Sequence, residues 1–246
     1  MARSFSASPT LWPVLGELLQ DLESLGVVPE EVVEVLRPLG LPRGASVIDL
    51  GCGKGSVSLA LAERLGLAVS GIDAYPGFID DARQAAARRG LADRCRFHEA
   101  DIRVLPGRLP PVDMVLLLSV GDVFGDAAET VATLRQFVRP GGYVVIEDGY
   151  ATVPGVPAGA SSYDQTVAGL TAAGDRIVTY AVGQTPACAA QEARAVQAVE
   201  RRARELLRLW PGLAASLSAF AEVQREEAAL YAGPMTQALW VLERTE

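Results

Sequence analysis

The segment from Val47 to Ser56 combines residue types that suit the binding of a small molecule against bare backbone. An apolar run carries the carboxylate of Asp49 at its end, and glycines follow at positions 51, 53 and 55. Glycine tolerates positive φ and lets a ligand approach the main chain closely. A helix predicted over 56–65 directs its unpaired N–H groups and the positive end of its dipole at the same point. The segment therefore predicts a small-molecule pocket at a strand-to-helix turn.

Further polar groups stand at the ends of the next predicted strands. Asp73 comes about twenty residues after the glycines and suits a ribose, because both ribose hydroxyls can donate to one carboxylate. Its alternative role is to cap the helix predicted from Pro76. Asp101 has the same alternative, but it stands at the following strand tip, where an adenine amino group would lie. The fourth strand is expected to end at Ser119, with Asp122 in the loop after it.

Alternating strands and helices must position these groups. Short apolar runs predict strands, and helical periods follow them: strands at 47–50, 68–73, 94–99, 113–119 and 143–147, and helices at 56–65, 76–89 and 127–138. Such alternation needs crossover connections and a parallel sheet. We predict an α/β fold with a doubly wound, mostly parallel, seven-stranded sheet and helices on both faces.

The regions that flank this core complete a predicted single domain over 1–246. Helices at 10–25 and 29–39 form an N-terminal extension, 1–40, and a cofactor-binding core follows at 41–150. The C-terminal half, 151–246, has a helix at 163–173, strands at 176–182 and 236–243, and a helical insertion at 186–232 before the last strand. That insertion is expected to cover a sheet edge, or to form a lid or a dimer surface over the cleft.

Composition narrows the class of ligand. The formal net charge of -8 argues against nucleic acid or an anionic membrane as a partner, since phosphate contacts need clustered Lys and Arg. The three cysteines are far apart and lack metal-type spacing, which indicates reduced thiols. No secretory leader or membrane-spanning helix is expected. We therefore predict a cytoplasmic protein that acts on a small molecule, as a monomer or a homodimer.

Taken in order, these segments resemble class I S-adenosylmethionine-dependent methyltransferases of the bacterial small-molecule type. The resemblance runs from Val47 to about Tyr150 and includes the turn Pro140-Gly141-Gly142 before the fifth strand. It implies S-adenosylmethionine as the cofactor, with the methionine part at the glycine turn and Asp49 ordering that turn. The cofactor-binding residues that it implies are Asp49, Gly51, Cys52, Gly53, Asp73, Ala74, Asp101, Ile102 and Ser119.

Two alternatives remain beside this interpretation. A nicotinamide-dependent oxidoreductase would have Gly-x-Gly-x-x-Gly, whereas Gly55 comes one position early. Asp49, two residues before the first glycine, would also repel a pyrophosphate. The second alternative is a noncatalytic protein that binds S-adenosylmethionine or a nucleoside.

Catalysis of methyl transfer depends mainly on alignment, and a general base is needed only when the acceptor carries a proton that must leave. We predict Asp122 as the catalytic residue, because its strand faces the methyl group, with Glu147 and Asp148 as the other candidates. His98 lies inside the third strand, away from the tips, and is expected to be structural. The acceptor pocket is expected to include Trp12, Phe124, Glu147, Asp148 and Tyr150.

A bound metal and a nucleic acid substrate are both unexpected. Catechol-type methyltransferases hold a divalent ion with acids after the same two strands, but they have Asp-Asn where this chain has Asp148-Gly149. Enzymes that methylate amino groups of nucleic acid bases have an Asn/Asp-Pro-Pro-aromatic segment where this chain has Ser119-Val120-Gly121-Asp122. A small metabolite is therefore the expected acceptor.

Overall fold

The computed structural model describes residues 9–183 and 185–246. Over these residues the chain forms a seven-stranded sheet in the order β3-β2-β1-β4-β5-β7-β6. Its strands are β1 (Ser46–Leu50), β2 (Ala68–Asp73), β3 (Cys95–Glu99), β4 (Val112–Leu117), β5 (Val138–Ala151), β6 (Arg176–Val182) and β7 (Met235–Glu243). Only β7 runs antiparallel to its neighbours, so the predicted mostly parallel sheet is confirmed.

Helices cover both faces of this sheet. They are α1 (Leu15–Leu18), α2 (Pro29–Leu36), α3 (Ser56–Arg64), α4 (Pro76–Arg88), α5 (Ala127–Leu134), α6 (Tyr163–Leu170), α7 (Pro186–Leu209) and α8 (Ala214–Tyr231). Helices α2, α3 and α4 pack on one face, and α5 and α6 pack on the other. The side chains of β1 divide accordingly, with Val47 in the first core and Ile48 in the second, as the alternation along a strand requires.

The strand order reverses at the centre of the sheet. From β1 the chain moves outward to β2 and β3, then returns to pair β4 on the other side of β1. In open α/β sheets, ligands bind beyond the carboxyl ends of the strands at such a reversal. The glycine turn after β1, Asp73 at the end of β2 and Ser119 after β4 therefore share one edge.

The N-terminal extension differs from the helix predicted over 10–25. A 3-10 helix at Pro9–Val14 leads into the single turn of α1, and the chain then continues as turns up to α2. Pro13 lies within the first segment, where it has no amide hydrogen to donate. Past α1, the hydroxyl of Ser24 donates to the carbonyl of Val27 at 2.8 Å and holds a turn. The continuous helix predicted over 10–25 is therefore wrong, because Pro13 and the turn at Ser24 outweigh the helical spacing of the apolar residues.

The predicted helical insertion before the last strand is confirmed as α7 and α8, separated by a short 3-10 helix at Pro211–Leu213. The two helices form a third core with the N-terminal extension, which includes Leu11, Leu18, Val199, Leu206 and Phe220. Strand β5 extends past the predicted 143–147, because β7 pairs with it as far as the Ala151–Met235 register position. Within the described residues, no helix is both long and apolar enough to cross a membrane.

Candidate active site

A cavity of about 420 Å³, the smaller cavity, opens at the carboxyl ends of β1, β2 and β4. Its wall includes the glycine turn, the tip of β2 and the loop after β3. Every residue that the sequence analysis assigns to cofactor binding lines it: Asp49, Gly51, Cys52, Gly53, Asp73, Ala74, Asp101, Ile102 and Ser119.

The glycine turn has the backbone conformation that its sequence suggested. Gly51, Gly53 and Gly55 have φ values of +72°, +52° and +76°, in the region that favours glycine. A Cβ at Gly55 would also lie 2.7 Å from the Phe97 ring, closer than packing allows. The backbone conformation therefore favours glycine at all three positions, and Gly51 and Gly53 present main-chain groups at the cavity wall.

Asp73 connects the tip of β2 to the glycine turn. Its Oδ2 accepts from the Gly53 N–H at 2.9 Å, and its Oδ1 accepts from the Tyr75 N–H at 2.9 Å. Helix α4 has Tyr75 as its N-cap residue, so Asp73 does not hold the cap position considered as its alternative role. Burial raises the pKa of Asp73, while these backbone N–H groups oppose the shift.

Asp49 and Cys52 lie at the start of the glycine turn and line the smaller cavity. Asp49 is 3% exposed and accepts a hydrogen bond of 2.6 Å from the Ser58 hydroxyl on α3, so it connects β1 to the helix after the turn. Burial raises the pKa of Asp49 to about 6. Burial is also the largest cause of a raised pKa at the Cys52 thiol, and the charge of the nearby Asp49 carboxylate raises it further. Cys52 is therefore a neutral wall residue at neutral pH.

Asp101 shows the capping role considered as its alternative. Its carboxylate accepts from the Arg103 backbone N–H at 2.9 Å at the start of the 3-10 helix Ile102–Val104. The Arg103 guanidinium also binds both carboxylate oxygens, at 2.7 to 3.1 Å, and this lowers the pKa of Asp101. Asp101 thus presents an ionised carboxylate on the cavity wall, and this carboxylate already accepts hydrogen bonds from Arg103.

The N-terminal extension closes one side of the smaller cavity. The Tyr75 hydroxyl accepts from the Gly16 N–H at 2.9 Å, and Trp12 packs edge-on against the Tyr75 ring at 5.2 Å. Lys54, inside the glycine turn, donates to the Leu19 carbonyl at 2.8 Å. Neither Tyr75 nor Lys54 was predicted as a site residue, because their contacts join segments that are distant in sequence.

A second cavity of about 730 Å³, the larger cavity, adjoins the first. It lies between the ends of β4, β5 and β7 and the helices α2, α7 and α8. The two cavities share six wall residues, which are Ser24, Leu25, Gly26, Val27, Ser119 and Val120. They therefore meet at the turn after β4 and at the chain segment 24–27, and we call this shared wall the junction.

Ser119 holds an unusual position at the junction. Its φ of +55° is the only positive value among the non-glycine residues described. Its hydroxyl donates to Glu147 Oε2, and its backbone N–H also faces that carboxylate. Burial raises the pKa of Glu147 to about 7 against the opposing effect of these bonds. The junction thus joins a left-handed turn to a carboxyl group that can exchange a proton near neutral pH.

The residues predicted for the acceptor pocket separate into two groups. Asp122, Glu147 and Asp148 line the larger cavity, with Asp122 exposed at its rim. Trp12 lines the smaller cavity instead.

Phe124 and Tyr150 lie outside the walls of both cavities, so the structure does not bring them together with the other residues predicted for the acceptor pocket. Tyr150 packs against the rings of Tyr163 and Trp240 at 5.3 and 6.1 Å, and Phe124 packs against the core beneath α5. Tyr163 begins α6, and this helix covers the Tyr150 ring on its own face of the sheet.

Three carboxylates of the larger cavity escaped the sequence analysis: Glu31 on α2, Glu192 on α7 and Glu227 on α8. Burial raises the pKa of Glu192 to about 7 and that of Asp148 to about 6. On α7, Glu192 interrupts a helix face formed by Cys188, Ala189, Ala195 and Val196, which is the one signal that the sequence offers. Without the tertiary arrangement, such residues are indistinguishable from solvated surface charges.

Comparison with known proteins places the chain in a family. A family profile described as a methyltransferase domain matches residues 41–201. The tRNA 5-carboxymethoxyuridine methyltransferase of Escherichia coli (strain K12) is 32% identical over 114 residues, which cover 46% of this chain and 43% of the relative. The ubiquinone biosynthesis O-methyltransferase of Caulobacter vibrioides is 35% identical over 103 residues, which cover 42% and 40%. The chain thus matches less than half the length of these curated relatives.

Solved structures match over almost the whole chain. An S-adenosylmethionine-dependent methyltransferase from Thiobacillus denitrificans, in complex with S-adenosyl-L-homocysteine, has a TM-score of 0.76 at 21% identity and covers 93% of this chain and 97% of its own. YjhP from Escherichia coli has a TM-score of 0.74 at 21% identity, with 95% and 99% covered. The chain therefore belongs to the methyltransferase-domain family, and it has the class I S-adenosylmethionine-dependent methyltransferase fold that its sequence resembles.

Proposed function

We propose that this chain is an S-adenosylmethionine-dependent methyltransferase that methylates a small molecule by direct in-line transfer. The observation that carries the proposal is the pair of adjoining cavities that meet at Ser119. In-line displacement needs the donor on one side of a point and the acceptor on the other. The smaller cavity, with the family's motif residues, is suited to the cofactor, and the larger cavity is suited to the acceptor.

The residues of the smaller cavity fit S-adenosylmethionine. A Cβ at Gly53 would lie 3.0 Å from the Leu25 side chain, so glycine leaves space beside the main chain where a side chain would fill it. When bound, the cofactor supplies an electrophilic methyl group on a sulfonium. The carboxylate of Asp73 is an acceptor suited to ribose hydroxyls, and that of Asp101 is suited to an adenine amino group. Gly51, Cys52 and Gly53 would hold the methionine part, with Ala74, Ile102 and Ser119 completing the wall.

We assign proton acceptance to Glu147 rather than to Asp122, the residue predicted from the sequence. A general base works best when its pKa is near the working pH, and burial raises the pKa of Glu147 to about 7. Glu147 is also bonded to Ser119 at the junction, whereas Asp122 is exposed at the rim. Asp122 then contributes negative charge at the entrance.

The larger cavity supports a small molecule rather than nucleic acid as the acceptor. Among the described residues, its wall has no Lys, Arg or His, whereas phosphate binding needs such cations. We also propose a cytoplasmic location, because Cys52, Cys95 and Cys188 are unpaired thiols in the structure. The single-domain organisation over 1–246, as a monomer or a homodimer, is part of the same proposal.

Titration calorimetry tests the cofactor assignment. We expect S-adenosylmethionine and S-adenosylhomocysteine to bind and NADH not to bind. NADH binding without S-adenosylmethionine binding would contradict the proposal and favour an oxidoreductase. A screen of small metabolites for release of S-adenosylhomocysteine then separates an enzyme from a noncatalytic binding protein, for which no metabolite would give turnover.

A further inference from the structure

We propose that the acceptor is an organic amine, cationic in solution at neutral pH, whose nitrogen takes the methyl group inside the larger cavity. The proposal rests on the proposed function and deepens it, because it names the substrate class of the same site. The size of the cavity allows many small molecules, and the charge of its wall selects among them.

The wall of the larger cavity is acidic on every side. Carboxylates reach it from α2, the loop after β4, β5, α7 and α8, namely Glu31, Asp122, Glu147, Asp148, Glu192 and Glu227. Within residues 9–183 and 185–246, no Lys, Arg or His lines the cavity or forms an ion pair with these groups. Gathering like charges away from water is costly unless a cation compensates them.

Four of these carboxylates act on one another near the junction. The charge of Glu227 raises the pKa of both Glu147 and Glu192, after burial as the larger cause. Tyr231 lies among all four groups, because Glu147, Glu227, Asp148 and Glu192 each raise its pKa in addition to burial. Glu147 accepts a hydrogen bond from Ser119, which lines both cavities. The negative charge of the four carboxylates is therefore concentrated beside the smaller cavity. A cationic group drawn to it would lie where methyl transfer takes place.

The arrangement suits an organic cation better than a metal ion. Within the described part of the chain, no group of three His, Cys, Asp or Glu side chains is close enough to hold a metal. The carboxylates instead surround a volume of about 730 Å³, within the range of about 300–1,000 Å³ typical of small-molecule pockets. Between them the wall is apolar, with Val27, Val28, Val35, Ala189 and Val196 available to the carbon skeleton. This combination matches an ammonium group on an apolar body.

The bonds and protons of the proposed step balance. The ammonium first gives one proton to the Glu147 carboxylate, which leaves a neutral amine with its lone pair. That lone pair forms the new N–C bond to the methyl carbon, and the electrons of the broken S–C bond return to the sulfur, which becomes a neutral thioether. The methylated nitrogen carries the positive charge and stays matched to the acidic wall until release.

Amine binding should also release protons from the cavity. Among the residues that the structure describes, the titratable side chains that line it are Glu31, Asp122, Glu147, Asp148, Cys188, Glu192, Glu227 and Tyr231. A bound cation favours the ionised forms of the carboxylates, so at neutral pH those held partly protonated by burial lose protons on binding. Calorimetry in buffers of different ionisation enthalpy measures this release.

Matched ligand sets test the proposal. After S-adenosylhomocysteine binding has been verified, the loaded protein is titrated with benzylamine, benzyl alcohol and benzoate, and with putrescine, butanediol and succinate. We expect the amine of at least one set to bind more tightly than the matched alcohol and carboxylate. When S-adenosylmethionine replaces S-adenosylhomocysteine, we expect that amine to be methylated and S-adenosylhomocysteine to be formed. Equal or tighter binding of alcohols or carboxylates, or no amine binding at all, would overturn the proposal. Failure to bind S-adenosylhomocysteine would instead contradict the proposed function.

Variants then locate the charge effect. Glu192→Gln and Glu227→Gln should each weaken amine binding by about tenfold, the size expected for a lost charged contact, and leave alcohol binding unchanged. Glu226→Gln is the matched control, because Glu226 is the exposed neighbour of Glu227 and lies outside the cavity wall. Amine affinity that is the same in both cavity variants and in the control would also overturn the proposal.

Discussion

Replacing Glu147 with glutamine should stabilise the protein above neutral pH and at the same time impair methyl transfer. Burial raises the pKa of this carboxyl group from 4.5 to about 7. Between these values the native protein keeps a proton that the unfolded chain has lost. The contribution of Glu147 is therefore most favourable below pH 4.5 and is lost as the pH rises through the window from 4.5 to about 7.

The size of the effect follows from that window. The interval between 4.5 and about 7 corresponds to roughly 3 kcal/mol of unfolding free energy at 25 °C. The side chain is only partly shielded at the cavity wall, so solvent screening reduces the expected effect to about 1–2 kcal/mol. Glutamine can still accept the Ser119 hydrogen bond and has no charge to bury. Below the window, the variant and the parent protein should have similar stability.

Urea denaturation at about pH 4 and at about pH 8 measures the unfolding free energy below and above this window. We expect the Glu147→Gln variant to match the parent protein at the lower pH and to exceed it at the higher pH. Glu226→Gln provides the control, because that exposed side chain should change stability equally at both pH values. An assay of S-adenosylhomocysteine release with an accepted amine should show reduced turnover for Glu147→Gln at every pH.

Three results would each contradict a part of this prediction. A variant that is less stable than the parent protein at the higher pH would show that the ionised carboxylate is stabilised in the native protein. A stability difference that does not change with pH would show that Glu147 does not titrate in this window. Unchanged turnover would contradict its role as the proton acceptor, independently of both stability results.

The remaining predictions concern the smaller cavity. Asp73→Ala should abolish measurable S-adenosylhomocysteine binding in calorimetry, and unchanged affinity would contradict the ribose assignment. Tyr75→Phe removes the acceptor of the Gly16 N–H, so it should lower the free energy of unfolding by about 1 kcal/mol and weaken S-adenosylhomocysteine binding severalfold. An unchanged dissociation constant would show that this contact of the N-terminal extension does not help to retain the cofactor. Gly55→Ala should lower the unfolding free energy by about 1–3 kcal/mol, because it combines a positive φ with a clash against Phe97, and a neutral effect would contradict the packing of the turn.

The cofactor side of the site was predictable because its signals are local. The glycines and Asp49 lie within a few residues of one another, and backbone chemistry alone demands them. Asp73 lies one crossover further along the chain, and parallel strands bring their carboxyl ends to one edge. Asp101 was more ambiguous, and the structure shows both the position expected from the sequence and the capping role.

The acceptor side was less predictable because it is built from distant segments. Glu192 and Glu227 come from helices of the insertion, and only the packing of those helices with the N-terminal extension places them on the same cavity wall as Glu147. The position of Tyr150 outside the larger cavity could not be predicted, because its sequence neighbours do not reveal its contacts with the rings of Tyr163 and Trp240. The helix predicted over 10–25 failed for a local reason, since Pro13 and the turn at Ser24 override the apolar spacing.

The segment 24–27 has a consequence for the kinetics of the enzyme, because it lines both cavities. Helix α7 holds it through Gln191, which donates to the Val27 carbonyl at 3.1 Å, and α3 holds it through Ser56, which bonds to Ser24 at 3.0 Å. A displacement of this segment therefore changes the walls of both cavities. Under the proposed function, we therefore expect substitutions that loosen the contacts of segment 24–27 to change the release of both products together.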